Sequence, residues 1–133
     1  MPYETTWETN GVIQKFRGGV SSPELFDALK DLYNDRRLLS LRYIIRDFLD
    51  VEVFDAGLKI LLEGRISSRM VHDRAPDVVA AVATTNPEII ESMKAASAYG
   101  LDAFPFRIFP TVAEAREWIA GFHKTRKSSP TKA

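Results

Sequence analysis

Four carboxylates lie close together in the stretch RDFLDVEVFDAGL, residues 46–58: Asp47, Asp50, Glu52 and Asp55. They follow directly on the apolar run Leu41, Tyr43, Ile44 and Ile45. Acids grouped at the end of a buried strand can hold a cation, accept a phosphoryl group, share a proton in acid–base chemistry or form a recognition surface. Each role needs different companions. A calcium loop requires six or more converging oxygens, a mid-loop glycine and a bidentate glutamate at fixed spacing. The pattern D-x-x-D-x-E-x-x-D meets none of these requirements, so no metal is expected. Acid–base chemistry requires neighbours that set two acidities apart, and no His, Lys or Tyr lies within the segment. Asp50 suits a turn and Asp55 suits the cap of a helix running through Leu58. The acids therefore read as a strand end, a turn and a helix cap, free to serve recognition.

Other chemistries are equally short of parts. A phospho-accepting receiver needs a second acidic pair after an early strand and a lysine before a proline after a late one. Here those places hold Arg17-Gly18-Gly19 and Phe109-Pro110. Thiolate catalysis, cysteine-bound zinc and disulfides are excluded by the absence of cysteine. No G-x-S-x-G elbow occurs, GGVSSPE reads as a helix cap, and neither glycine-rich phosphate motif is present. His72 sits where a cation meets the negative end of a helix, and His123 lies in a fraying tail. No catalytic residue and no cofactor emerge, and an enzyme is not expected.

The elements that position these groups follow from periodicity. Tyr3, Thr5 and Trp7 alternate with polar residues, Asn10-Gly11 predicts a two-residue left-handed turn, and Val12 to Phe16 forms the second strand of a hairpin. Ser21 or Ser22, Pro23 and Glu24 open a helix with Leu25, Leu29 and Leu32 inward and Phe26 and Tyr33 beside them. Leu41 to Phe48 is a strand. Leu58, Leu61, Leu62, Ile66 and Met70 mark a second helix, and Asp77 to Thr84 a central parallel strand. Asn86 and Pro87 start a third helix with Ile89, Met93 and Ala96 inward, ending at Gly100. Phe106 to Phe109 is the last strand. Val112, Ala115, Ile119 and Phe122 give the last helix its buried face, with the fray beginning at Gly121.

The order β-β-α-β-α-β-α-β-α predicts a single α/β domain over residues 1–122: a mostly parallel sheet of about five strands with right-handed crossovers and an antiparallel N-terminal hairpin. The basic tail 123–133 is expected to be disordered. The chain has 18 Lys and Arg and 18 Asp and Glu among its 133 residues. The tail carries four of the bases and no acid, leaving an acidic body that argues against nucleic-acid binding. The longest apolar run, Val78 to Ala83, is far short of the roughly 20 residues of a membrane helix, and no signal-like segment opens the chain. The cytoplasm is the expected compartment. In such a sheet the strand-to-helix loops share one edge, where α/β proteins bind ligands or partners. That edge gathers Ser21, Ser22, Asp47, Asp50, Asp55, Thr84, Thr85 and Asn86 as a candidate binding surface. Phe54, Leu58, Phe104 and Phe106 are candidates for an apolar pocket between sheet and helices. Tyr3 and Trp7 near a sheet edge leave a homodimer open.

DFLDVEVFDAGLKILL resembles the segment of STAS domains, the sporulation anti-sigma factor antagonists and their relatives, in which Asp-Leu-Ser-x-Val leads through Asp-Ser-Ser-Gly-Leu into a helix. Asp47, Val51, Asp55, Gly57 and Leu58 match when one residue is dropped. FRIFPTVAEAREWI is similar to the closing strand and helix of the SpoIIAA-like branch, whose sheet architecture also resembles CRAL-TRIO lipid-binding domains. The resemblance implies a SpoIIAA-like fold and a non-enzymatic regulatory domain that binds another protein. The alternative is a module for a small apolar molecule or lipid. Where an antagonist carries its phosphorylated serine, this chain has Ala56, so a phosphorylation switch at that position does not carry over.

Overall fold

The alternating opening forms β1 (Tyr3–Trp7), antiparallel to β2 (Gly11–Ser21), with Tyr3 opposite Phe16 and Trp7 opposite Val12. The turn departs from expectation. Neither Asn10 nor Gly11 has a positive φ, and the Glu8 N–H donates to the Gly11 carbonyl at 2.8 Å, closing the turn over Thr9 and Asn10 in ordinary backbone. Glycine is required at 11 for another reason. A Cβ there would lie 2.1–2.4 Å from the ring of Tyr43, which fills the space of the missing side chain.

The computed structural model describes residues 3–55, 69–99 and 104–128, the last with side chains to His123. After β2 come α1 (Ser22–Tyr33), a short 3-10 helix (Arg36–Ser40) and β3 (Tyr43–Asp55). Next are α2 (residues 69–74), β4 (Val79–Ala83), α3 (Pro87–Ser97), β5 (Phe106–Phe109) and α4 (Val112–Ser128). The sheet order is β1-β2-β3-β4-β5, and every pair beyond the hairpin is parallel. Each right-handed crossover moves the chain one strand in the same direction, so α1, α2 and α3 fall on one face. Ala28, Leu32, Val71, Ile89 and Met93 pack there against Val12, Phe16, Ile44, Phe48 and Val82. Among the described residues α4 alone covers the other face, with Ala115 and Ile119 on Ile45, Val79 and Ala81. β3 and β4 are therefore buried on both sides at their centres, which is why their apolar residues are consecutive.

Several boundaries move. β2 continues through Gly18-Gly19 to Ser21. β3 begins at Tyr43 rather than Leu41 and continues to Asp55, so Asp50 lies in a strand rather than a turn. On α1 the buried residues are Ala28 and Leu32, while Phe26 is exposed beneath Lys30. α3 ends at Ser97, and Gly100 lies outside the described residues, as do Leu58, Leu61, Leu62 and Ile66 of the predicted second helix. Met70 is exposed, and Val71 beside it is buried. α4 does not fray at Gly121: its helical backbone continues to Ser128. Tyr3 is buried and Trp7 lies partly covered beneath Arg37, so both are core-facing rather than an apolar edge. No helix of the described residues is long and apolar enough to cross a membrane.

Arg116 on α4 clasps the first turn. Its Nη1 and Nη2 donate to the two carboxylate oxygens of Glu8 at 3.0 and 2.7 Å, and the Tyr43 hydroxyl donates to the same carboxylate.

Candidate functional site

The acidic stretch lies on a two-stranded ribbon. β4 ends beside Asp47, where Ala83 is its partner, but β3 continues beside β2 to the pair Ser21–Asp55. Side chains three apart in a strand ordinarily face opposite ways. A bulge changes this: Lys15 pairs with Asp47 but Arg17 with Asp50, so β3 spends one extra residue and Asp50 turns to the face of Asp47. Lys15 then bridges both acids, its Nζ 3.3 Å from Asp47 and 3.1 Å from Asp50. These contacts push the Lys15 pKa above its ordinary value, the hydrogen bond to Asp50 contributing most, against an opposing desolvation. Asp47 is 5% exposed and also accepts the Leu49 N–H at 3.0 Å. A second register shift falls at Gly18, whose φ of +64° favours glycine.

The ribbon face bearing Lys15 is the one α4 leaves bare. It carries Arg17, which reaches Glu4 at 3.3 Å, together with Asp50, and β3 also exposes Leu49 and Val53. Sequence reasoning singled out the acids and missed the bases. The signal was present, because Val12, Gln14 and Phe16 alternate with Lys15 and Arg17 in β2, which sets both cations on one face.

The other candidates have definite local duties. Ser21 caps α1, its backbone N–H and its hydroxyl donating to Glu24 Oε1 at 2.8 and 3.0 Å, and Ser22 is the first residue of that helix. Thr84 is buried; its Oγ1 accepts the Asn86 N–H at 3.1 Å, and Asn86 Oδ1 accepts the Glu88 N–H at 2.9 Å to cap α3. Thr85 is exposed beside them. The edge is stepped rather than level. Thr84 to Asn86 follow the strand end beside Asp47, whereas Ser21, Ser22 and Asp55 stand at the ribbon tip, about 20 Å further along β2 from Lys15 to Ser21 at some 3.3 Å per residue. Of the apolar candidates, Phe54 and Phe106 share one buried cluster, Phe104 packs on the cluster of Val12 and Val78, and Leu58 lies outside the described residues. Among the described residues no three His, Asp or Glu side chains converge as a metal-binding group.

No protein-family model matches the sequence, and no curated protein is significantly similar to it. Solved structures do match. An anti-sigma factor antagonist from Mycobacterium paratuberculosis aligns over 89% of this chain and 92% of its own, at 15% identity and a TM-score of 0.55. A DUF3478-family protein with a SpoIIAA-like fold from Shewanella loihica PV-4 aligns over 88% and 91%, at 10% identity and a TM-score of 0.52. At such identities the likeness speaks for the backbone arrangement alone, and the chain has the SpoIIAA-like α/β fold.

Proposed function

We propose that this chain is a non-enzymatic, protein-binding regulatory domain of the STAS type. Its recognition surface is the β2–β3 ribbon with the adjoining loop edge: Ser21, Ser22, Asp47, Asp50, Asp55, Thr84, Thr85 and Asn86. The observation that carries this reading is the bared ribbon face, where Lys15 holds Asp47 and Asp50 in fixed array and the strand leads to Ala56. By the resemblance, residue 56 stands where antagonists carry a phosphorylated serine. The charged array suits a protein surface better than chemistry. One lysine contacts both acids, and Asp47 also accepts a backbone amide.

The antagonist from Mycobacterium acts, by its name, against an anti-sigma factor. A regulator of that class is the partner proposed here, bound without a phosphorylation switch at residue 56. Affinity purification with the wild-type chain and with the Asp50→Lys/Asp55→Lys double variant tests the surface. The partner is lost from the double variant while its circular dichroism is unchanged; an identical set of bound proteins overturns the assignment.

A further inference from the structure

We propose that a cleft at the opposite end of the sheet, between the start of β3 and α4, binds a small apolar monocarboxylate. The cleft is open, about 320 Å³ in volume, and its lining includes Asn10, Arg42, Tyr43, Ile119, Ala120 and His123. That is near the lower end of ligand pockets, roughly 300–1,000 Å³, and suits a molecule on the order of ten non-hydrogen atoms. Apolar lining comes from the Tyr43 ring, Ile119 and Ala120. Arg116 also borders the cleft, but Glu8 already occupies both arms of its guanidinium.

Arg42 is different. Its side chain is exposed and makes no ion pair or hydrogen bond among the described residues, while its backbone is fixed on three sides. Its N–H donates to the Asn10 carbonyl at 2.7 Å, and its carbonyl accepts the Val79 N–H at 3.0 Å and His123 Nε2 at 2.8 Å. A cation with no counter-charge among the described residues, carried on a pinned backbone beside an apolar lining, matches one negative charge on an apolar body. The one Arg42 guanidinium with the neutral Asn10 amide suits a carboxylate better than a doubly charged phosphate.

Titration of the labelled protein with sodium octanoate, followed by amide chemical shifts, tests the site. Saturable shifts are expected at Asn10, Tyr43, Ile119 and Ala120. Octanol, which has the same chain without the charge, binds about tenfold more weakly, the worth of one charge-assisted hydrogen bond. Arg42→Gln lowers octanoate affinity by a similar factor and leaves octanol unchanged, and Ala120→Trp, an exposed position, blocks both. Equal affinity for octanoate and octanol, shifts confined to other surfaces, or no saturation by about 10 mM overturns the proposal.

Discussion

Gly11 illustrates how a residue chosen for one reason can be misread for another. After Asn10 it looks like turn chemistry, but its φ is not positive and its role is to admit the ring of Tyr43. Gly11→Ala forces that ring aside and costs about 1–3 kcal/mol by urea denaturation. In a Tyr43→Ala background the added cost of Gly11→Ala falls below about 0.5 kcal/mol, and undiminished cost in the double variant rejects the explanation. Tyr3 gives a second test. Burial first, and then its 2.5 Å hydrogen bond to Asp31, push the Tyr3 hydroxyl from 10.0 up to about 12. A raised value stabilises the fold while the unfolded hydroxyl is still protonated, and the contribution is lost as pH climbs from about 10 towards 12. Stability therefore falls across that window in the wild type. The fall is shallower in Tyr3→Phe, though not abolished, because burial raises Tyr43 as well.

At the scale of elements, the order β-β-α-β-α-β-α-β-α and the parallel sheet were legible because periodicity and capping agree at most junctions. The length of β3 was not. Asp50, Glu52 and Asp55 carry the composition of a loop, and only pairing with β2 through two register shifts keeps them in a strand. The candidate surface was half legible for the same reason. Its acids could be seen along the chain, but Lys15 reaches them only across strands, and Arg17 reaches Glu4 the same way. Gln14, fully buried and donating to the Ala28 carbonyl at 2.8 Å, is another polar residue that alternation alone assigns to the core without a partner. Asn86 separates capping from recognition. Asn86→Ala removes the α3 cap and costs about 1 kcal/mol, whereas Asn86→Asp keeps it. If both variants bind the partner equally once folded, Asn86 belongs to the helix and leaves the proposed surface.

For the whole molecule, one-directional crossovers produce an asymmetric body, with α1, α2 and α3 on one face and, among the described residues, α4 alone on the other. Sheet amides should record this asymmetry. Those of β4 and the first half of β3, enclosed on both faces, exchange only on near-global opening, while those of 49–55 in the ribbon beyond β4 exchange at least tenfold faster. Uniform protection along β3 contradicts the one-sided cover. Chain closure depends on the clasp between Glu8 and Arg116, which ties the first turn to the last helix across 108 residues of sequence. Arg116 first, and the Tyr43 hydroxyl with it, hold the Glu8 carboxyl below its ordinary 4.5, against the opposing effect of burial. A depressed carboxyl stabilises the fold above its unfolded value, and the contribution disappears as pH falls through the folded one. Arg116 is nearly half exposed, so solvent screening limits the clasp to about 1 kcal/mol or less at neutral pH. Glu8→Gln is accordingly less stable than wild type at pH 7, and the difference closes below pH 4.5 as the wild-type carboxyl takes up its proton. A difference independent of pH would assign the loss to packing at the turn rather than to the charge on Glu8.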